Sequence, residues 1–304
     1  MSLETDLLLD RRRLKRRLLF WRSFAVLAVV AAVLVAMRGP FGRAHIARLT
    51  VSGIITDDRK LVEAVSKLAD NDSVKALIVT IDSPGGSVAG GEALHDAIAR
   101  VAQKKPVVAV MGGTAASAGY MVAVPAARIF AREGTLTGSI GVLLETGEVS
   151  GLLKTLGIDA EAITSGPLKD QPSLIRPLTP EGRDVLHGLV MDMYDQFVGM
   201  VASGRHMDAA KVRELADGRA YTGRQALRNG LIDAIGGETD ARTWLAQTKG
   251  VSADLPVDDV PTTGLASRAL SSSLGWMLNS IWKSLFSQGV ILDGAWAIWQ
   301  RSGG

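Results

Sequence analysis

Ser117 stands in a run of small residues, Gly112-Gly113-Thr114-Ala115-Ala116-Ser117-Ala118-Gly119-Tyr120-Met121. A serine hydroxyl is a weak nucleophile until a base takes its proton. The residues just before it, Val107 to Met111, form a short apolar run of the kind that makes a buried strand. Ala115, Ala116 and Ala118 favour helix, and Gly112 and Gly113 permit a tight turn. Ser117 is therefore expected at a strand-to-helix turn, near the positive end of the helix, where an alkoxide or oxyanion is stabilised. A serine used only for close packing at a helix start has the same local sequence, so context has to decide.

Three further stretches offer groups for such chemistry. Asp82-Ser83-Pro84-Gly85-Gly86-Ser87-Val88 follows a second apolar run. Its paired glycines leave backbone N–H groups free of side-chain obstruction, which suits an oxyanion hole, a phosphate nest or a plain tight turn. It lacks the lysine and Ser/Thr of a P-loop. Thr135-Leu136-Thr137-Gly138-Ser139-Ile140-Gly141-Val142 is a small polar loop that either lines a cleft or turns the chain. Lys169 lies in Ser165-Gly166-Pro167-Leu168-Lys169-Asp170, and no helical period assigns it to a solvated face. A lysine acts as a base only when desolvation favours its neutral form; otherwise it is surface charge.

The surrounding chain alternates strand and helix signals. Ile46 to Ile55 and Val74 to Ile81 read as strands, as does Pro106 to Met111. Asp57-Asp58 caps a helix running to about Ala69, and Ala89 to Gln103 reads as a second helix. This alternation implies βα units around a mainly parallel sheet covered by helices. Thr179-Pro180 opens a long helix to about Ser203, whose Leu186, Leu189, Val190, Met193, Tyr194, Phe197 and Met200 form one apolar face for packing. Helices are also expected over Ala209 to Ala216 and from Tyr221 to Asn229-Gly230, before Leu231 to Gly237 closes the unit.

Composition narrows the function classes. The chain has 304 residues, no cysteine and a net charge of +3. Thiol catalysis, disulfides and thiolate metal sites are excluded, and the absence of cysteine suits an oxidising compartment. Arg11, Arg12, Arg13, Lys15, Arg16, Arg17 and Arg22 carry the excess charge, so the rest is slightly acidic and nothing points to nucleic acid. Residues 1–17 read as a basic cytoplasmic tail and 18–38 as a transmembrane signal anchor. The uncharged run Ser23 to Met37 is extended to spanning length by Leu18 to Trp21, with Arg22 snorkelling. The basic residues ahead of the run place everything beyond about residue 40 outside the cytoplasm. A cleaved signal peptide would need a small-residue site that Met37-Arg38-Gly39-Pro40 does not offer. At the other end, a linker over 251–264 leads to a tail, 265–304, with Trp276, Trp282, Trp296 and Trp299. Its helical apolar spacing suits a membrane-interface helix, an intersubunit helix, or packing on the main domain.

In sequence order, Asp82–Ser87 (DSPGGS), Thr114–Tyr120 (TAASAGY), Thr137–Val142 (TGSIGV), Ser165–Asp170 (SGPLKD) and Tyr221–Gly237 resemble the signal peptide peptidase A family, peptidase family S49, over roughly residues 46–250. The resemblance is to the short, single-copy form. It implies an α/β, ClpP/crotonase-like fold, here a domain over 44–250 preceded by the transmembrane helix. It also implies a Ser-Lys dyad: Ser117 as nucleophile, Lys169 as general base, Gly86 in the oxyanion loop beside Gly85, and Ser139 in the loop whose hydroxyl helps position the lysine. No cofactor or metal is implied. The substrates implied are remnant signal peptides and similar hydrophobic peptides. The setting is the bacterial inner membrane, in contact with lipid, with the catalytic domain on the periplasmic side. The long form places its dyad members on different halves, so a homo-oligomeric ring with shared sites is expected. The residues agree with a histidine-free site. Of His45, His95, His187 and His206, none lies in a glycine-rich loop beside an acid. The lysine variant needs no third acidic residue. The rival readings are a crotonase-type acyl-CoA enzyme and a non-catalytic membrane scaffold.

Overall fold

The structure is a computed structural model, and it describes residues 43–261, 296–298 and, near the amino terminus, 17, 20–24 and 27. Residues 1–44 and 45–304 form two separate units. Only residues 20–24 and 27 of the expected membrane span are described, all helical. Among the described residues no helix is long and apolar enough to cross a membrane. The expected span itself lies largely outside them, as do most of the basic segment and the tail.

The second unit is a mixed α/β sheet. In chain order its strands are β1 (His45–Ile55), β2 (Val74–Ser87), β3 (Val107–Ala116), β4 (Arg128–Ala131), β5 (Leu136–Gly138), β6 (Ala220–Thr222), β7 (Ala234–Ile235), β8 (Val257–Asp259) and β9 (Trp296–Ile298). The main path is β6-β5-β3-β2-β1-β8, with β4 beside β3, β7 beside β4 and β9 against β2. β1, β2 and β3 are parallel neighbours, as the βα alternation requires. The helices are α1 (Arg59–Leu68), α2 (Val88–Ala102), α3 (Ala118–Ala123), α4 (Ser150–Thr155), α5 (Pro180–Arg205), α6 (Ala209–Leu215), α7 (Gly223–Arg228) and α8 (Glu238–Lys249).

Period-two alternation divides the strand residues between two cores. Leu49 and Val51, Leu77, Val79 and Ile81, and Ala109 and Met111 face α1, α2, α3 and the end of α5. Ile46, Ala76, Ile78, Val108 and Val110 face Ala241 and Leu245 of α8. Central parallel strands buried on both faces read as continuous apolar runs, which is why Val74 to Ile81 has no polar stripe. The helix caps fall where the sequence put them: Asp58 accepts from Lys60 and Leu61 N–H, Thr179 from Gly182 N–H, and Thr222 closes a capping box with Gln225.

Four readings change. Asp82–Ser87 is not a turn: β2 continues through it, with Ile54 opposite Gly85 and Ile55 opposite Gly86. Gly112-Gly113 likewise does not end β3, which runs on to Ala116 after exchanging β2 for β5 as its partner. The exchange is a bulge. Ile81 pairs with Met111 and Ser83 with Ala115, so Gly112 to Thr114 oppose Asp82 alone. Asp82 Oδ1 holds this bulge by accepting Thr114 N–H at 3.0 Å. Third, the apolar face of α5 packs only in its carboxyl-terminal half. Phe197 and Val201 are buried, whereas Val185, Leu189 and Met191 are exposed. Residues 257–259, within the stretch read as a linker, pair in parallel with β1.

α5 ends in an anchored corner. The Arg205 guanidinium donates to both Asp233 oxygens at 2.7 and 3.0 Å and to Gly230 O at 3.0 Å. Asp233 in turn accepts Ile129 N–H at 2.7 Å. Burial pushes the Tyr120 phenol well above its ordinary range, and its hydroxyl donates to Leu231 O at 2.8 Å.

Candidate active site

β3 delivers Ser117 to the amino-terminal end of α3, as the small-residue run predicts. Its backbone has φ 56° and ψ −122°, a conformation that L-residues rarely adopt. The residue turns the chain sharply from strand to helix, yet its side chain is only 1% exposed. Backbone bonds set the turn: Ser117 N–H donates to Gly138 O at 2.8 Å, and Tyr120 and Met121 N–H donate to Ser117 O at 2.9 and 3.0 Å. Thr137 Oγ1 donates to Ala115 O at 2.8 Å, and Thr135 Oγ1 to Gly112 O at 2.7 Å. These two threonines fasten both ends of the segment before the serine.

The end of β2 lies alongside. Ser83 pairs with Ala115, and a Cβ placed on Gly119 would stand 2.9 Å from Ser83 O. Gly91 of α2 approaches Ala118 so closely that a Cβ there would lie 3.0 Å from the alanine Cβ. Gly85 has φ 117°, and a Cβ on Gly86 would stand 1.9 Å from Ile55 O, so no side chain fits at that position. Past Ser83, β3 has left for β5. The edge of β2 released in this way, Gly85 to Ser87, pairs antiparallel with Ile298 to Trp296 of β9.

Ser139 adjoins the same corner. It follows Gly138, has φ 48°, is buried, and donates its N–H to Arg219 O at 2.9 Å. Seven polar residues are buried among those described, and five of them, Ser83, Ser117, Thr135, Thr137 and Ser139, gather around this turn. Buried hydroxyls are uncommon unless bonded, and Ser83, Thr135 and Thr137 each donate to a backbone carbonyl in this corner. Ser83, Thr135 and Thr137 carried no signal of their own in the sequence. Each bonds a backbone carbonyl, and carbonyls leave no trace in residue identity.

Lys169 lies on the exposed stretch between α4 and α5, in a turn where its N–H donates to Gly166 O at 3.1 Å. Among the described residues no hydrogen bond joins its amine to Ser117. Its neighbour Asp170 is held below the usual carboxylate range by the Arg176 guanidinium. The structure thus assembles Ser117, Gly85, Gly86 and Ser139 within one chain and leaves Lys169 on the surface. The region around it is apolar and uncovered. α4 buries none of its residues, Leu152, Leu156, Leu168 and Leu174 are exposed, and Ile163 is 96% exposed.

The histidines stand elsewhere. His45 opens β1, at the end of the sheet away from the turn, 3.7 Å from Asp258. His95 meets Asp96 at 2.9 Å, and His206 caps α5. No cluster of three or more His, Cys, Asp or Glu suited to a metal ion occurs among the described residues.

Comparison with known proteins bears on this arrangement. The model for peptidase family S49 matches residues 99–252, and the model for Clp protease matches 48–136. The Clp match runs from β1 into β5, and the mixed α/β sheet that carries the turn is ClpP-like. The chain is 42% identical over 213 residues to a candidate protease of Synechocystis sp., covering 70% of this chain and 77% of that protein. It is 36% identical over 245 residues to a candidate signal peptide peptidase SppA of Enterococcus faecium, covering 75% and 71%. Among solved structures, a membrane-bound stomatin-specific protease aligns over 73% of this chain and all of its own, with TM-score 0.49 and 15% identity. ClpP1 from Listeria monocytogenes aligns over 64% and 92%, with TM-score 0.43 and 20% identity.

Proposed function

Since the chain belongs to peptidase family S49 and is a serine peptidase, we propose that Ser117 is its nucleophile, Lys169 its general base and Gly86 N–H a donor to the oxyanion. The observation that carries this reading is the backbone of Ser117. A non-glycine residue held at φ 56° between a strand and a helix, with Gly85 at φ 117° and a Gly86 that can carry no side chain in the adjoining end of β2, is placed for attack on a carbonyl. The neutral Lys169 amine takes the Ser117 Oγ proton as Oγ bonds to the scissile carbonyl carbon. The tetrahedral oxyanion receives the Gly86 N–H. Collapse breaks the C–N bond, and the lysine ammonium returns the proton to the leaving amine. Water, deprotonated by the same amine, then hydrolyses the acyl-enzyme.

Substrate enters this scheme as an extended strand. The edge Gly85 to Ser87 accepts antiparallel backbone, as its pairing with β9 supports. The substrates are remnant signal peptides and similar hydrophobic segments. The amino-terminal apolar run anchors the enzyme in the bacterial inner membrane, with the catalytic unit on the periplasmic side. Lys169 reaches Ser117 from a neighbouring copy in a homo-oligomeric ring. The exposed apolar side chains around Lys169, in a stretch that a monomer leaves uncovered, favour this arrangement. Covering them would also desolvate the amine, as a lysine base needs.

Fluorophosphonate labelling of the full chain in detergent tests the assignment. Wild-type protein should acquire one covalent adduct and hydrolyse an apolar peptide but not an acyl-CoA, and Ser117→Ala should do neither. Undiminished peptide turnover by Ser117→Ala would refute the nucleophile.

A further inference from the structure

We propose that Ser83 is a positioning residue that sets the oxyanion donor by fastening the Gly85–Gly86 backbone to β1; this rests on the reading of Ser117 and Gly86 above. Ser83 is fully buried. Its hydroxyl donates to Gly53 O at 2.6 Å and accepts Gly85 N–H at 3.1 Å. Gly85 O also lies 3.3 Å away, but the single hydroxyl proton goes to the shorter bond. The side chain therefore bridges two backbone segments, one on β1 and one on β2. Both are unusual: Gly53 has φ 70° and Gly85 has φ 117°.

The location matters because this is where β2 changes partners. Up to Ile81 it is held on both edges by β1 and β3. Beyond Ser83 the β3 edge is lost, and the β1 ladder itself shifts register between Ser52 and Ile54. β9 takes over the released edge from Gly85 to Ser87, so the irregularity that remains is the register shift on the β1 side. Ser83 bridges that shift, linking Gly53 O to Gly85 N–H, and so fixes the Gly85 N–H and with it the direction of the next N–H, that of Gly86. Its own backbone carbonyl lies against Gly119 two residues past the nucleophile. One buried residue thus ties the donor loop to the helix that presents the serine, which is the alignment that preorganised stabilisation requires.

The test compares Ser83→Ala and Ser83→Cys with wild type and with Ser117→Ala, using the full chain in detergent. Three quantities are read: peptide turnover, affinity for a peptidyl boronate that forms a tetrahedral serine adduct, and affinity for the product peptide. For Ser83→Ala, kcat should fall roughly 10- to 100-fold with KM within about twofold. Boronate affinity should fall in step, and product affinity should hold. Ser83→Cys, with similar volume and a weak donor, should lie between. Should Ser83→Ala fail to fold, the ratio of boronate to product affinity in Ser83→Cys decides alone. Wild-type kcat and boronate affinity would overturn the proposal, as would equal losses in boronate and product affinity, which signal general disruption. Turnover persisting in Ser117→Ala would instead overturn the underlying assignment, whatever Ser83 does.

Discussion

A serine without a histidine beside it has to take its base from another element, and Lys169 is the residue that the proposed mechanism uses. Ser117→Ala and Lys169→Ala should each lower peptide kcat by about 10⁴-fold or more, with near-ultraviolet circular dichroism unchanged. The double variant should be no worse than either single one, because the two act as a unit. Lys169→Arg should not restore turnover, since a guanidinium keeps its proton; substantial activity in that variant would sink the general-base role. At this scale the sequence was legible where identity itself carries the function. Ser117 is conspicuous among alanines and glycines, and Gly85 and Gly86 stand out as residues with no side chain. Ser83, Thr135 and Thr137 were not legible, because their partners are main-chain carbonyls of residues 30, 23 and 22 positions away. Lys169 was visible in the sequence as a lysine in a Gly-Pro turn, either base or surface charge; its assignment as base came from family resemblance, and its exposed position in one chain adds no independent signal.

At the scale of elements, the glycine pairs were read as turns because composition favours turns. Both pairs are instead strand, for a reason only the tertiary structure supplies. β1 runs far enough to pair with Gly85 and Gly86, and β5 is there to receive β3. α8 carried too weak a pattern to be read, since Ala241 and Leu245 are its buried residues. The amphipathic face of α5 was legible as a stripe, but a stripe does not say which of its turns find a partner. Two predictions belong here. β9 occupies the edge that substrate would take, so deleting residues 262–304 should lower KM for an apolar peptide several-fold with kcat little changed; an unaltered KM in steady-state assays would show that the two do not compete. Arg205→Met leaves Asp233 and Gly230 O without their guanidinium in a largely buried corner. It should lower unfolding free energy by about 3 kcal/mol in denaturant titrations, and a loss under about 1 kcal/mol would mean that the corner holds without the pair.

At the scale of the whole molecule, one protomer keeps Ser117 inside and Lys169 outside, so the shared-site proposal can be tested by mixing. Ser117→Ala and Lys169→Ala protomers, each inactive, should regain part of the wild-type turnover once subunits exchange. Mixed oligomers that form, by native mass spectrometry, and stay inactive would return the dyad to a single chain. The backbone angle at Ser117 has a thermodynamic counterpart. A glycine would adopt φ 56° freely, whereas serine holds it against its own preference, a burden of about 1–3 kcal/mol. Glycine loses roughly 0.5–1 kcal/mol more in chain entropy on folding, so Ser117→Gly should be inactive yet about 1 kcal/mol more stable than Ser117→Ala, which removes the hydroxyl and keeps the strain. A higher unfolding midpoint for the glycine variant would identify position 117 as one where selection for catalysis runs against selection for stability, and where a search for sturdier sequences would discard the nucleophile first.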